Sequence, residues 1–513
     1  LTSVGTLTTL TVDNINLNTN ASSLLTTGNG LITLNGQGGG EGSGQGHFGV
    51  RTIGATITAE NGDITINGSG GNGTSDNIGF DTNNTDITHT GNGNLIVTAI
   101  SGTNTQQDID DSNGNNSQWG SATTNNITIN ANSIDFTRFD SFQAANNITI
   151  TPRTSETSIG LAGAVGDLQL DDATLAKFNA GNTLIIGNSA LNNNDVIIDT
   201  WDLSGETFDL SILGDDFDIG GLTIGAGDIT FIAQQNIVVN TAIGNSGAGG
   251  DVALVAGNYF INRAGANAID AGAGRYLIYT DGPSVTVKGG LGGSNLYNRT
   301  YSASLPESIK QSGDKFLYAY RPTLTFTARP IALDDFQPDF NSFIYTVEGF
   351  EAGDTLASAF NGLPAFNKTR IGSGRYQINI AAGSLLSQVG YNFEFVDGRL
   401  SMPGATQRLN SSVEFITQAP DQWFGNSRQT GLPNPAAMQL SRQSIKSTQH
   451  SHSMQENNAD NESPLPKILK IMTQTSSNQG DADVRLIEAN LLKIEKPVVD
   501  FYDLCSYNVI YCQ

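Results

Sequence analysis

The sequence predicts an all-β chain: a right-handed parallel β-helix followed by a small β domain, a disordered linker and a short C-terminal helix. Two observations carry most of that reading. The first is self-similarity. The run Gly227-Asp228-Ile229-Thr230-Phe231-Ile232-Ala233, a polar step and Asn236-Ile237-Val238-Val239-Asn240 return as Gly250-Asp251-Val252-Ala253-Leu254-Val255-Ala256 and Asn258-Tyr259-Phe260-Ile261-Asn262. An offset of roughly two dozen residues is a solenoid period. The second is composition: 60 Gly, 14 Pro and 14% charged residues, with 37% hydrophobic, describe a turn-dense β protein with enough apolar side chains to fold.

Each copy holds short β-branched or aromatic strands that alternate inward and outward, closed by Gly, Asn or Asp, which tolerate the backbone of a sharp corner. One copy cannot bury its apolar face alone, whereas copies stacked at about 4.8 Å per coil can. Variants of the pattern run through 1–281, as Gly30-Leu31-Ile32-Thr33-Leu34-Asn35, Gly62-Asp63-Ile64-Thr65-Ile66-Asn67, Asn126-Ile127-Thr128-Ile129-Asn130 and Asn182-Thr183-Leu184-Ile185-Ile186 among others. Roughly a dozen coils and a rod on the order of 60 Å follow. Gly-rich and Asn-rich runs at 36–46 and 108–116 are expected as inserts extruded from one side. Recurrent corner Asn residues are expected to stack as amide ladders.

After Tyr279 the texture changes. Residues 282–321 gain aromatics and Pro306 and read as a transition, so a chain ending near Asp281 is expected to keep the rod folded. Residues 322–402 alternate cleanly at Leu324/Phe326, Tyr345/Val347, Tyr376/Ile378/Ile380, Tyr391/Phe393/Phe395 and Leu400/Met402, a separate small β domain. Residues 403–466 are rich in Ser, Gln, Asn and Pro and read as a flexible linker. In 467–513, a helix is expected over 483–496, ended by Pro497, ahead of the loop 505–512 between the only two Cys, Cys505 and Cys512.

The formal net charge of −24 argues against nucleic acid and anionic lipid as partners, because phosphate binding needs clustered Lys and Arg. No run reaches the length of an apolar membrane span. The chain starts with neither Met nor a signal peptide, and the expectation is the C-terminal part of a longer exported polypeptide.

A parallel β-helix also suits polysaccharide lyases and hydrolases, which work through paired carboxylates. Two acidic groups could serve acid/base work or calcium: Asp108, Asp110 and Asp111, and Asp215, Asp216 and Asp218. Neither has the ligand order of an EF-hand, and solvated turns are the simpler expectation for both. His47, His89, His450 and His452 are scattered, the last two in the linker, and are expected to be neither metal ligands nor bases. The Gly-rich run at 36–46 lacks the Lys-Ser/Thr of a phosphate loop. No catalytic residue, metal ligand or cofactor is therefore expected. Sequons at Asn20, Asn67, Asn126, Asn147, Asn298 and Asn367 are candidate glycosylation sites that so Asn- and Thr-rich a chain also produces by composition.

Three passages resemble the exoproteins of Gram-negative two-partner secretion, the filamentous-haemagglutinin-like and high-molecular-weight adhesins. GDITFIAQQNIVV is similar to their coil repeat. GAGRYLIYTDGP followed by RPTLTFTARP resembles the passage by which such adhesins leave the β-helix. TVEGFEAGDTLASAFNG, GSGRYQINIAAGSL and YNFEFVDGRLSM resemble the small β module called MBG, across 322–402. The terminal helix and Cys-bounded loop resemble the C-terminal anchor of cell-retained members. The N-terminal secretion domain of the family is missing.

The resemblance implies a non-enzymatic adhesin, outside the cell or at the cell surface and associated with the outer membrane. It implies an outer-membrane transporter as export partner and a glycan or protein receptor. A Cys505–Cys512 disulfide, enclosing a loop for which chain entropy gives roughly 2 to 2.5 kcal/mol, would help retain the chain. The alternatives for this pair are an incidental terminal pair or two ligands of a metal site. The alternative for the whole chain is a β-helix lyase or hydrolase with an accessory domain.

Overall fold

A computed structural model describes residues 9–13, 16–18, 23–40, 43–104, 107–111, 117–188, 194–245, 249–329, 343–351, 353–372, 375–401 and 511–512. The 403–466 linker, the 483–496 helix and Cys505 lie outside the described residues. The chain divides into two compact units, Leu1–Tyr320 and Arg321–Gln513.

The first unit is a parallel β-helix. Its longest sheet has 13 strands, which begin with Thr9–Asp13, Leu31–Gln37, Ile64–Ser69 and Leu95–Ile100 and climb coil by coil to Tyr276–Thr280, Lys315–Tyr318 and Ser294–Tyr297. All its pairings are parallel. Over the first coils a five-stranded and a six-stranded sheet close the other two sides. From Ile159–Leu161 onward a nine-stranded sheet replaces them, built around the long strands Val196–Leu203 and Phe217–Ile224.

Register explains why the short strands hold. Ile32 lies beside Ile64, Ile64 beside Leu95, Leu95 beside Ile127 and Ile127 beside Ile148, so inward aliphatics stack on their own kind. All are fully buried, as are Ile229 and Val252, the register pair of the duplicated stretch. Each such side chain contributes about 1.5–3 kcal/mol of burial. Trp119 fills a wider part of the bore, stacked on Phe80 at 5.4 Å and met edge-on by Phe136, Phe139 and Phe142.

Corners are set by close approach. A Cβ on Gly62 would stand 2.0 Å from the Gly30 carbonyl oxygen, and one on Gly227 1.9 Å from that of Phe208, so no larger residue fits where one coil passes over the last. The residue after the Gly then links coils. Asp63 Oδ1 accepts from the N–H and Nδ2 of Asn94 at 2.8 and 2.9 Å, and Asn94 Oδ1 accepts from Asn125 and Asn126, both at 3.0 Å. Asn182 donates to Asn147 in turn at 3.3 Å. Farther on, Asp209, Asp228 and Asp251 each accept the N–H of the equivalent residue one coil up, at 2.8, 2.8 and 3.1 Å. The amide ladder expected at the corners is present and becomes a carboxylate ladder.

Residues 282–320 belong to the solenoid. Lys315–Tyr318 stacks on Tyr276–Thr280, and Ser294–Tyr297 pairs with it outermost. The Arg275 guanidinium binds the carbonyls of Pro306, Ile309 and Gln311 at 3.0, 2.9 and 2.7 Å, tying the turns over the last coil.

In the second unit Thr323–Arg329 pairs antiparallel with Ile344–Glu348 and parallel with Asn392–Val396. A second sheet joins Ala365–Gly372, Arg375–Ala381 and Gly398–Ser401, all antiparallel. Phe326 is the hub of its core, with Tyr345, Phe360, Phe393 and Phe395 rings 5.1–5.8 Å away. The Gly-Asp-Thr turn has a mechanical role. Gly353 takes φ +84°, Thr355 caps the short helix Leu356–Ala359, and Asp354 accepts the Tyr391 hydroxyl at 2.7 Å.

Candidate functional site

Three consecutive coils form a groove of about 410 Å³, lined by Asn35, Gly36, Gln37, Asn67, Gly68, Ser69, Thr98 and Ile100. It lies where the strands Leu31–Gln37, Ile64–Ser69 and Leu95–Ile100 run on past the corner. Gly36 and Gly68 permit this, because a Cβ on either would come within 2.0 Å of the carbonyl oxygen of Gly49 or Gly79, where the chain returns.

Outward side chains stand in two columns. Asn35, Asn67 and Thr98 are in register, as are Gln37, Ser69 and Ile100. Asn67 Nδ2 donates to Asn35 Oδ1 at 2.9 Å, and Asn130 Nδ2 to Thr98 Oγ1 at 3.2 Å. Beside the groove the segments 43–49, 70–79 and 101–104 stack on one another. Gly71 N–H donates to the His47 carbonyl at 2.8 Å, Thr74 to Gly44 at 2.7 Å and Gly102 to Asn77 at 2.6 Å. The lining holds amides, hydroxyls and one aliphatic side chain, and no ionisable group. Each amide both donates and accepts, at a repeat of about 4.8 Å along the columns. That is a lattice suited to vicinal hydroxyls. In the sequence Asn35 and Asn67 stand out only as the last residues of coil repeats, and Asn67 also as a sequon. The signal for the rest was the recurrence of Asn35-Gly36-Gln37 as Asn67-Gly68-Ser69.

The acidic groups stand elsewhere than expected. Asp108, Asp110 and Asp111 are buried and are not solvated turns, because this strip belongs to a solenoid wall. Asp108 accepts the N–H groups of Ser101 and Asn132, both at 2.6 Å, which is structural work. Asp110 sits in register between Asp81 and Asp135. Burial pushes Asp81 up to about 6 despite its 2.6 Å ion pair with Arg51. Burial likewise pushes Asp111 up to about 7. Of the other group, Asp218 leaves to bind Asn240, while Asp195 joins Asp215 and Asp216.

His89 is buried, bonded through Nδ1 to Thr124 Oγ1 at 3.1 Å, and desolvation lowers its pKa. His47 lies in the first insert, and His450 and His452 lie outside the described residues. Among the sequons, Asn126 donates its Nδ2 along the corner ladder and Asn147 accepts there from Asn182. Asn298 and Asn367 are exposed, and Asn20 is outside the described residues. The backbone of Tyr511–Cys512 lies antiparallel to Ile344–Tyr345. Among the described residues no helix is long and apolar enough to cross a membrane.

Comparison with protein-family models, with curated proteins and with solved structures gives no match for this chain.

Proposed function

We propose that the chain is an adhesin-type exoprotein, a β-helical stalk whose amide-lined groove binds glycan hydroxyls outside the cell. The observation that carries this reading is the pair of in-register polar columns, Asn35/Asn67/Thr98 and Gln37/Ser69/Ile100, beside the stacked inserts. A sugar offers rows of hydroxyls that both donate and accept and an apolar C–H face, and the groove offers amides, hydroxyls and Ile100 in return. Export through a two-partner transporter and retention through the Cys505–Cys512 loop belong to the same proposal, supported by the sequence resemblance.

The test is a glycan array probed with the purified chain and with a Gln37→Ala/Ser69→Ala variant. These side chains point outward at the strand ends, so the variant is expected to fold normally and to lose binding by more than about tenfold, near 1.4 kcal/mol. Binding that survives unchanged, or release of unsaturated or reducing sugar ends from a soluble polysaccharide, would overturn the reading, the latter in favour of a lyase or hydrolase.

A further inference from the structure

At the corner that carries Asp195, Asp215 and Asp216, the donors of the next coil reach Asp216 alone among the described residues. Asp215 N–H donates to the Asn194 carbonyl at 2.9 Å and Val196 N–H to that of Asp216 at 2.7 Å, which sets Asp195 and Asp216 one above the other. One coil on, the column turns neutral. Asn236 donates its N–H and Nδ2 to Asp216 Oδ1 at 3.0 and 2.7 Å. Below that step, no donor among the described residues reaches the Asp195 or the Asp215 carboxylate.

Asp215 is only 8% exposed, yet its carboxylate points at the other two: one oxygen from each acid lies within 4.8 Å of the rest. Asn194, which precedes Asp195 in the chain, is fully buried, and its Oδ1 has no donor among the described residues. A carboxylate without a donor among like charges is costly unless it takes a proton or a cation.

We propose that Asp195, Asp215 and Asp216 bind a hard divalent cation, Ca²⁺ in preference to Mg²⁺, which ties two adjacent coils together. The donor set is oxygen only, the class that hard cations take. Size selects between the two. Ca²⁺–O bonds of about 2.3–2.6 Å let opposite ligands stand roughly 5 Å apart, while Mg²⁺ at about 2.0–2.1 Å draws them to roughly 4 Å. Oxygens already held within 4.8 Å by two stacked strands fit the larger ion without moving the backbone.

The experiment titrates the full, chelator-treated chain with CaCl₂ and separately with MgCl₂ by calorimetry, and follows thermal unfolding in each. One Ca²⁺ is expected per chain at up to about 1 mM, with a higher melting temperature and with Mg²⁺ weaker. Asp195→Asn and Asp215→Asn should each weaken Ca²⁺ binding by more than about tenfold, while Asp218→Asn leaves it unchanged. In chelator, Asp215→Asn should melt above the parent, because a like charge is gone, and calcium should add nothing. Asp195 is exposed, so its variant decides the matter if Asp215→Asn fails to fold. No calcium heat at 1 mM, or undiminished binding in Asp195→Asn, would overturn the proposal.

Discussion

The two halves of the solenoid solve the same stacking problem with different side chains. From Asp63 to Asn126 corresponding corner residues are 31 or 32 positions apart, the coils carry long inserts, and after the Asp63 carboxylate the corner acceptors are amides. In the second half the spacing falls to 19, 23 and 24, the inserts shrink and the links are carboxylates. An amide ladder is self-sufficient because Asn both donates and accepts. A carboxylate only accepts, so the second half draws its donors from the backbone N–H of the coil above and needs a cation where the ladder ends. Arg275 supplies it, with Nε 3.2 Å from Asp251. Acids in the first half are instead hidden in its second wall, around Asp81 and Asp111. Where the charge sits therefore matters more than how much there is.

The most damaging way to break the second half is to remove its end. Leu277, Ile278, Phe316 and Leu317 are fully buried against one another's strands, and Tyr297 stacks on Tyr318 at 5.4 Å. A chain ending at Tyr320 should unfold cooperatively in urea. One ending at Asp281, which strips the strand over Tyr276–Thr280 and the three carbonyls bound by Arg275, should lose cooperativity and solubility, since an uncapped solenoid end exposes apolar and unpaired backbone surface. Equal behaviour of the two chains would show that 282–320 does not cap the rod.

That cap was the part of the fold least legible in the sequence. Inward positions such as Ile229/Phe231 and Val252/Leu254 announce themselves through alternation, and the Gly-Asp corners through repetition, because each coil imposes the same local demands. Lys315–Tyr318 carries no such signature: Pro306 and a cluster of Tyr precede it, and it returns to the sheet only at Lys315, 38 positions beyond its register partner Leu277. The acids failed for a related reason. A turn in solvent and a corner in a wall share the composition Asp, Asn and Gly, so Asp108–Asp111 read as exposed. Asp195 is some twenty positions from Asp215 and meets it only because one coil of that length separates them. Half of the groove was legible as a repeat, but its concavity comes from the inserts stacking beside it.

A smaller, reversible perturbation is pH, and it should act mainly on the first half. Asp81 and Asp111 are pushed up to about 6 and about 7 by burial, opposed at Asp81 by Arg51 and at Asp111 by the Ser117 hydroxyl, and reinforced by Asp110, Asp76 and Asp135. With folded values above the unfolded one, the folded state holds more protons between about pH 4 and 7, so stability falls as pH rises through that window. The expected loss from pH 5 to 8 is on the order of a few kcal/mol. Asp111→Asn, which keeps an acceptor for Ser117, should flatten much of it. A denaturation midpoint that rises with pH in the parent chain, or an unchanged slope in the variant, would contradict the buried-acid account.

The finest test exchanges the two ladder chemistries. Asn67→Asp removes the Nδ2 donor that reaches Asn35 Oδ1 at 2.9 Å and sets a carboxylate against a carbonyl oxygen, so it should cost about 1 kcal/mol. Asp228→Asn keeps an oxygen for the Asp251 N–H, bonded at 2.8 Å, while relieving a carboxyl whose pKa is raised by burial and then by Asp209 and Asp251. It should stabilise slightly, by less than about 1 kcal/mol at such an exposed corner. The two substitutions are opposite in chemistry and should be opposite in sign, read as urea midpoints at pH 8 with unchanged slopes. If both destabilise, the Asp residues of the second half do more than accept a hydrogen bond from the coil above, and the division between an amide half and a carboxylate half is the wrong one.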